Sequence, residues 1–417
     1  MNVFFMTVDD VIDLSERSIY MDLINEFLDK GHYVTIASVC EKRNWPKRKF
    51  AKVYTDSKCE IYKIYTYNIT KNKNYIEKGF ALLHLMYEVR KTAIQAMKFR
   101  YYDLVVYGSP PVTFFSAARV IKQKQNAYCY LLLKDIWPYD CLFGDVLTKT
   151  GWKRIAFNYL AYLARKLYSV SDKIGCMSPA NIKFLLENEP QLDVEKLEVN
   201  PNSIQPFNIM LTEQEKNRLR DKYNIPRDKV GFVYGGNLGV PQGIDFAIES
   251  VKASATVEDA FFVFVGGGTE QEKIDILKKE KLVNFLFLPA MPRNDYETLV
   301  FACDVGLIYL NFECLSPNFP SRLLAYMQAA LPVLCATDLY TDVGKIAEEN
   351  GYGLWCESNN VNGFVQCVEK LCNVDIRKEM GAFAYQYLLK EYSVEHSYET
   401  IMKHIVYKEN DNESIDD

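Results

Sequence analysis

Residues 230–239, VGFVYGGNLG, join an apolar strand to a glycine-rich turn. A helix start follows at Gln242-Gly243, and the next apolar strand, residues 260–265, ends at Gly266-Gly267-Gly268. Apolar strands that alternate with helices predict a parallel sheet with helices on both faces. Glycines at the strand ends let the backbone approach an anion, and N–H groups at a helix start bind phosphate oxygens. The segment therefore predicts a Rossmann-like domain with a phosphate site; a tight turn without a ligand is the alternative.

The same alternation fills the first half of the chain, beginning with a strand at Asn2–Thr7 and a helix at 18–30. It restarts after the turn-rich residues 200–203, which separate the two halves. We predict an α/β fold of two tandem Rossmann-like domains that face a central cleft. Ligands of such sheets bind beyond the carboxyl ends of the strands, so both halves are expected to contribute loops.

The composition is that of a globular protein with an uneven division of charge. The 417 residues are 49% hydrophobic and 25% charged, which excludes a disordered chain. Residues 1–200 contain 29 Lys and Arg against 22 Asp and Glu, whereas residues 201–417 contain 20 against 32. Net charges of +7 and −12 predict two domains with different partners, one of them anionic.

Targeting and cysteine patterns predict a cytoplasmic protein without a metal site. The N-terminus, MNVFFMTVDD, lacks a basic region before its short apolar run, so it predicts a strand rather than a signal peptide. No uninterrupted apolar stretch approaches the ~18 residues of a membrane-spanning helix. The eleven cysteines contain no C-x-x-C pair and predict a reducing compartment. The sequence has no metal-ligand cluster and no recognised nucleic-acid motif.

Residues 317–327, PNFPSRLLAYM, predict a second anion contact. Pro320 and Ser321 begin a helix, which places Arg322 in its first turn. The helix dipole disfavours a cation there, so Arg322 is expected to meet an anionic ligand. An exposed arginine without a ligand is the alternative.

The order of these motifs resembles that of one enzyme family. The second half resembles the nucleotide-binding domain of glycosyltransferase family 4. The motifs that carry the resemblance occur in the family's order: GGNLG with QG, FVGGG, PSRLLAYM with LPVL, and ENGYGLW. In the first half, residues 30–34 (KGHYV) resemble the family's G-H-x-V motif, and residues 135–138 (DIWP) resemble the D-L-W-P motif of its branch for bacterial surface-polysaccharide assembly. Residues 377–393 resemble its C-terminal crossover. The resemblance covers nearly the whole chain.

The resemblance implies a GT-B architecture with a retaining mechanism. It implies an acceptor-binding domain at 1–199, a nucleotide-sugar-binding domain at 205–385, a helix crossing back to the first domain at 386–408, and an acidic disordered tail at 409–417. The expected enzyme is a hexosyl- or N-acetylhexosaminyl-type transferase that uses a nucleotide sugar, UDP-linked, as substrate, without metal or other cofactor. Arg322 is then a catalytic group, and the expected donor and phosphate contacts are Gly236, Asn237, Gly239, Gly267, Pro320 and Ser321.

Polar residues that follow strands of the first half are the candidates for binding the acceptor. Asp135 comes directly after the strand Tyr128–Leu133, and Trp137 and Asp140 follow it. We expect Asp135 to lie nearest the reaction centre and to act as a catalytic residue; a helix cap or an ordinary loop aspartate is the alternative. Further acceptor contacts are expected after two other strands, at Asp9, Asp10 and Ser109.

The chain departs from the family where much of the family contacts the donor sugar and ribose. The positions of the family's glutamate pair are Pro317 and Ala325, so ribose binding must use another group, such as the backbone or Glu313. The usual Arg and Lys of the first glycine loop fall on Asn237 and Gln242. These departures keep a second hypothesis open, a catalytically silent GT-B scaffold or partner subunit. A sugar-nucleotide 2-epimerase fits the four histidines badly.

Basic and aromatic residues of the first half predict contact with the inner face of the cell membrane. Residues 42–52 surround Trp45 and Phe50 with six Lys and Arg, and residues 152–169 mix basic with aromatic side chains. Such residues bind anionic lipid surfaces, whereas an ordinary solvated face is the alternative. With the family branch, this implies an undecaprenyl-diphosphate-linked glycan as acceptor and a peripheral membrane location.

Overall fold

The computed structural model describes residues 1–15, 17–44, 52–69, 75–208 and 211–413 of the chain. Its contacts divide the chain into unit 1, Met1–Gln205 with Val394–Asp417, and unit 2, Pro206–Ser393. The chain returns to unit 1 at Val394 rather than at the predicted residue 386, because the preceding helix continues to Glu391 within unit 2. The last helix extends to Glu413, so residues 409–413 are helical and not part of an unstructured tail; residues 414–417 lie outside the described residues.

Unit 1 contains an eight-stranded sheet with the strand order β3-β4-β2-β1-β5-β6-β7-β8. All neighbouring strands are parallel except β3, which pairs antiparallel with β4. The strands are β1 (Asn2–Thr7), β2 (Tyr33–Glu41), β3 (Lys52–Asp56), β4 (Cys59–Thr66), β5 (Leu104–Ser109), β6 (Tyr128–Leu133), β7 (Lys173–Cys176) and β8 (Leu197–Val199).

Helices cover both faces of this sheet because successive side chains of a buried strand point to opposite sides. In β1, Phe4 and Met6 join the core on one face, whereas Val3 and Phe5 join the core on the other. The first face is covered by α2, α3, α4 and α5, and the second by α1 and α14. These helices are α1 (Ile19–Asp29), α2 (Tyr75–Ala96), α3 (Phe115–Gln125), α4 (Lys153–Val170), α5 (Pro179–Asn188) and α14 (Val394–Glu413).

The C-terminal helix α14 is bound to unit 1 by polar and aromatic contacts. The Tyr398 ring packs edge-on against Phe27, and its hydroxyl lies 2.7 Å from Nε2 of His32. His404 and Lys403 each lie 3.0 Å from the carboxylate of Glu198, whose pKa these partners hold below its usual value against the opposing effect of burial. No helix among the described residues is both long and apolar enough to cross a membrane.

Unit 2 contains a six-stranded parallel sheet with the order β11-β10-β9-β12-β13-β14. The strands are β9 (Val230–Asn237), β10 (Ala260–Gly267), β11 (Phe285–Pro289), β12 (Val305–Tyr309), β13 (Val333–Thr337) and β14 (Gly353–Glu357). The helices are α6 (Glu213–Tyr223), α7 (Ile244–Ala253), α8 (Gln271–Lys279), α9 (Arg293–Phe301), α10 (Arg322–Gln328), α11 (Val343–Glu349), α12 (Val361–Leu371) and α13 (Val374–Glu391).

Glycines of this sheet let helices approach its strands closely. A methyl group at Gly306 would lie 2.2 Å from the Tyr326 ring of α10, and one at Gly235 would lie 2.1 Å from the Tyr296 ring of α9. These distances leave no room for a side chain, so both positions require glycine. The two aromatic rings therefore pack directly against the strands of the sheet.

Candidate functional site

The glycine-rich ends of β9 and β10 form the centre of the site in unit 2. Both strands extend further than the sequence predicts, because Gly236 pairs with Gly266 and Asn237 with Gly267. Gly266 has a φ of +152°, and a methyl group there would lie 1.9 Å from the carbonyl oxygen of Gly236. The predicted glycine turns are therefore partly strand, and they place bare backbone at the carboxyl edge of the sheet.

Arg322 lies against this backbone, at the start of α10. The central carbon of its guanidinium is 4.4 Å from the centre of the Tyr234 ring, a cation–π contact. A methyl group at Gly236 would lie 3.3 Å from its Nη2. Its Nη1 is buried and has no hydrogen-bond partner among the residues that the structure describes. A buried guanidinium group without a partner is suited to an anionic ligand, and the anion contact of Arg322 stays a prediction.

Two tyrosines that the sequence did not indicate complete the floor beside Arg322. The hydroxyl of Tyr326 donates to the carbonyl of Leu307 at 3.1 Å and accepts from the backbone N–H of Gly235 at 3.4 Å. Burial raises the pKa of Tyr326 to about 12, against the opposing charge of Arg322. Burial likewise raises the pKa of Tyr296, so both hydroxyls are neutral. In the sequence, the placement of these tyrosines is indicated by Gly235 and Gly306, because glycine at these positions leaves room for the two rings.

The remaining predicted donor residues lie on loops near the same strand ends. The Asn237 amide donates to Gln242 Oε1 at 3.2 Å, directly over Gly239. The loop after β12 is tied to this one, because the N–H of Asn311 donates to the carbonyl of Pro241 at 2.8 Å. At the start of α10, Pro320 is buried, while Ser321 is exposed and does not cap the helix.

The structure brings no carboxylate to the two positions where much of the family has glutamates. Pro317 is buried and Ala325 is half-buried, and neither side chain can accept a hydrogen bond. Glu313 is exposed on the loop after β12, and its backbone N–H donates to Asn311 Oδ1 at 3.0 Å. Glu313 therefore supplies an exposed carboxylate on this loop, and its predicted contact with the ribose stays a prediction.

In unit 1, Asp135 follows β6 and is held by the end of the neighbouring strand β5. The carbonyl of Ser109 accepts hydrogen bonds from the N–H of Lys134 at 3.2 Å and of Asp135 at 3.1 Å. The Ser109 side chain is buried, so its described role is this carbonyl contact. The arrangement leaves the carboxylate of Asp135 accessible to solvent.

The environment of Asp135 favours its protonated form. Asp135 is exposed to solvent on one side, but the surrounding chain displaces water from its carboxylate. This desolvation raises the pKa of the Asp135 carboxyl group. The negative charge of Asp140 raises it further, and Lys134 opposes the change. Desolvation in turn lowers the pKa of Lys134 to about 7. Titratable groups with perturbed pKa values at a strand end are typical of functional sites.

Asp9 belongs to the same neighbourhood and brings Tyr20 with it. The Ser18 hydroxyl donates to Asp9 Oδ2 at 2.8 Å and also caps α1 by accepting from the N–H of Met21. Burial raises the pKa of Tyr20, and the charges of Asp9 and Asp135 raise it further. A methyl group at Gly108 would lie 2.3 Å from the Tyr20 hydroxyl. Tyr20 thus lies at the end of β5, a placement that the sequence did not predict.

The other predicted acceptor residues are more firmly engaged in the fold. Asp10 forms an ion pair with Lys63 at 2.5 Å, and the Lys63 side chain is only 7% exposed. Trp137 packs against the core beneath α2, α3 and α4. Asp140 lies close enough to Asp135 to raise its pKa. The basic segment predicted around Trp45 and Phe50 lies largely outside the described residues.

Comparisons with known proteins agree with this architecture. Residues 215–387 match the family model for glycosyl transferases group 1. The structure of Anabaena Alr3699/HepE in complex with UDP-glucose aligns over 98% of this chain and 100% of that one, with a TM-score of 0.65 and 14% identity. The fold is GT-B.

Two curated relatives extend the similarity beyond unit 2. The chain is 24% identical over 301 residues to the probable glycosyltransferase WbjE of Pseudomonas aeruginosa. The matched region covers 70% of this chain and 71% of WbjE. It is 22% identical over 264 residues to WcaI of Escherichia coli K12, a putative colanic acid biosynthesis glycosyl transferase. That match covers 62% of this chain and 64% of WcaI. Together these similarities support a GT-B glycosyltransferase.

Proposed function

We propose that this protein is a retaining glycosyltransferase of family 4 that moves a sugar from a UDP-sugar to a glycan acceptor in bacterial surface-polysaccharide synthesis. The transferred group is a hexosyl or N-acetylhexosaminyl residue, and the acceptor is an undecaprenyl-diphosphate-linked glycan. Support comes from the motif order in the sequence, from the UDP-glucose complex of HepE, and from the colanic acid role in the name of WcaI.

The observation that carries the proposal is the buried guanidinium of Arg322 beside Gly236. Its Nη1 lacks a described partner, and the backbone next to it is free of side chains. A diphosphate in this place satisfies the cation without displacing any group. The same contact stabilises the negative charge that grows on the diphosphate as the sugar leaves. In this proposal Arg322 supplies the positive charge, and the reaction requires no metal ion.

In the proposed step, the bond between the anomeric carbon and the β-phosphate oxygen breaks, and a bond from the acceptor oxygen to the same face of that carbon forms. The acceptor proton passes to the leaving diphosphate. Asp135 accepts a hydrogen bond from the acceptor hydroxyl and fixes its direction, with Asp9 and Asp140 as further oxygen acceptors. A set of carboxylates suits an acceptor rich in hydroxyl groups.

The test measures UDP binding by calorimetry and sugar transfer with a panel of nucleotide sugars for the wild type and Arg322→Gln. Loss of a charge-assisted contact costs about 1.5–3 kcal/mol, so UDP should bind roughly 10- to 100-fold more weakly to the variant. Arg227→Gln is the matched control, because Arg227 pairs with Asp221 on the surface of unit 2, before the amino end of β9. It should bind UDP like the wild type.

Each outcome separates the proposal from a silent scaffold. UDP binding together with transfer supports the enzyme, and UDP binding without transfer to any lipid-linked glycan supports the scaffold. If UDP and UDP-sugars do not bind but another nucleotide does, the donor assignment is wrong. If Arg322→Gln binds UDP as tightly as the wild type, Arg322 is not the diphosphate ligand.

A further inference from the structure

Exposed aromatic side chains form a stripe along α4 of unit 1. Trp152 and Ile155 are each 76% exposed, and Tyr159 and Tyr162 follow them on the same side of the helix. Their spacing of three and four residues puts them in line on one face. The opposite face of α4, which includes Phe157 and Leu167, is buried in the core, so the stripe is additional to the face that packs.

A second stripe of the same kind lies on α2. Phe80, Leu83 and Tyr87 are 66%, 45% and 64% exposed and also recur every three or four residues. Both helices cover the same face of the unit 1 sheet, with α3 in contact with each. At the end of each stripe a lysine lies over the ring of the last tyrosine. Nζ of Lys91 is 5.9 Å from the ring centre of Tyr87, and Nζ of Lys166 is 5.0 Å from that of Tyr162.

Helices α3 and α4 carry positive charge without acidic residues, whereas α2 also contains two glutamates. The sequences of α3 and α4, FSAARVIKQKQ and KRIAFNYLAYLARKLYSV, contain no Asp or Glu. Arg90, Arg119 and Arg154 are exposed and form no ion pair with any residue that the structure describes. Arg119 also lines two grooves on either side of α3, of about 490 Å³ and 300 Å³. Arg90 joins it in the first groove, and Lys166 in the second.

We infer that this α2–α3–α4 surface binds an anionic phospholipid bilayer. Trp and Tyr side chains favour the boundary between headgroups and acyl chains, because their rings are apolar and their edges polar. Unpaired Lys and Arg beside them attract lipid phosphates by about 1 kcal/mol each. A partner of this surface must match its excess of basic side chains, because α3 and α4 lack acidic residues and Glu88 of α2 pairs with Lys91. An anionic bilayer meets that requirement. In this inference, lipid phosphates contact the basic residues Arg90, Arg119 and Lys166 that line the two grooves.

The test is sedimentation of the full chain with vesicles of phosphatidylcholine alone or of equal parts phosphatidylcholine and phosphatidylglycerol. The wild type should sediment with the mixed vesicles and much less with the neutral ones, and added salt should release it. The double variant Trp152→Ser/Ile155→Ser should lose most of the binding. Arg119→Glu/Lys166→Glu should bind the mixed vesicles at least roughly tenfold more weakly, because each reversal replaces attraction with repulsion.

Control variants make the same chemical changes on unit 2. Val283→Ser replaces a side chain that is 92% exposed, and Lys278→Glu reverses an exposed charge on α8. Both should sediment like the wild type, and circular dichroism should show that all variants are folded. A wild type that ignores mixed vesicles, or stripe variants that bind like the controls, would overturn the inference. So would a stripe-dependent dimer without vesicle binding, which would assign the surface to a second copy.

The lipid surface and the proposed function can fail separately. UDP binding requires no vesicle, and vesicle sedimentation requires no nucleotide. Loss of vesicle binding in a variant that still binds UDP like the wild type would therefore show that only the surface was changed.

Discussion

The carboxyl edges of the two sheets carry side chains of opposite type, a basic one in unit 2 and acidic ones in unit 1. In unit 2 the edge consists of glycine backbone and the buried cation Arg322, and in unit 1 it carries the carboxylates of Asp9 and Asp135. The surrounding charge is reversed, because residues 201–417 are acidic overall and residues 1–200 basic. Net charge therefore does not report the chemistry of either site.

This reversal changes the interpretation of the basic first half. Its net charge predicted an anionic partner, but the sheet edge in unit 1 is acidic. Arg119 of α3 and Arg154 of α4, which form no ion pair with any residue that the structure describes, lie on a helical face instead. An anionic partner of unit 1 therefore fits the helical surface, whereas a hydroxyl-rich ligand fits the strand ends.

The largest effect is expected from adding a side chain to the glycine backbone at the carboxyl edge of the unit 2 sheet. Gly266→Ala puts a methyl group 1.9 Å from the Gly236 carbonyl at a φ of +152°, so strands β9 and β10 must separate. We expect the free energy of unfolding to fall by about 3 kcal/mol or more, and UDP binding to be lost with the strand ends. Urea unfolding and calorimetry measure the two effects.

The adjacent glycine supplies the control for this prediction. A methyl group at Gly267 would approach only the end of the flexible Gln271 side chain, at 3.2 Å. Gly267→Ala should therefore unfold at nearly the same urea concentration as the wild type. Equal destabilisation by the two substitutions would show that the close approach of β9 and β10 does not require Gly266.

The next effect tests the acidic edge of unit 1. Asp135→Asn should reduce sugar transfer roughly 100-fold while UDP binding stays unchanged, because an amide cannot replace the negative charge. Desolvation by the surrounding chain and the charge of Asp140 raise the pKa of Asp135 to about 7, against the opposing charge of Lys134. Because the ionised form is the active one, wild-type transfer should rise as the pH increases through about 7, and the variant should lack this rise.

Stability should change in the opposite direction at this position. A carboxyl whose pKa is raised in the folded state binds its proton more tightly than in the unfolded chain, so the wild type loses stability as the pH rises from about 4 to about 7. Asp135→Asn should therefore melt at a higher temperature than the wild type above pH 7. Asp29→Asn, an exposed change on α1, is the control. A variant that is less stable at every pH would identify Asp135 as a structural residue instead.

The sequence predicted the buried strands and the charged residues of the edges better than their surroundings. Strands such as β6, YCYLLL, are continuous apolar runs, and the glycines at the end of β9 predict an anion site. Helix α2 was predicted only as a helix around His84, without bounds, because its exposed Phe80, Leu83 and Tyr87 blur the apolar stripe that packs. Helix α6 was missed for the opposite reason, since its only buried residue is Arg220.

Contacts between distant segments could not be predicted from one sequence. Tyr296 and Tyr326 come from two different helices and meet at Gly235, far from both in the chain. The engagement of Asp10 by Lys63 depends on the pairing of β4 with β2. Spacing along the chain does not report such contacts, because they are set by the order of strands in the sheet.

The smallest effect is expected from Tyr20, where the two edges differ in the role of a tyrosine. The hydroxyls of Tyr296 and Tyr326 lie beneath the unit 2 edge, whereas the Tyr20 hydroxyl lies over Gly108 near the charges of Asp9 and Asp135. Tyr20→Phe removes one neutral hydrogen-bond donor, a loss of about 1 kcal/mol. The KM for the acceptor should therefore rise roughly fivefold, with kcat and UDP binding nearly unchanged.

A matched tyrosine distinguishes this role from packing. Tyr102 is also buried in unit 1, and its hydroxyl donates to Thr35 Oγ1 at 3.0 Å within the core. Tyr102→Phe should lower stability by about 1 kcal/mol without changing the acceptor KM. If Tyr20→Phe changes only stability as well, its hydroxyl does not contact the acceptor. In that case the acidic edge of unit 1 acts through its carboxylates alone.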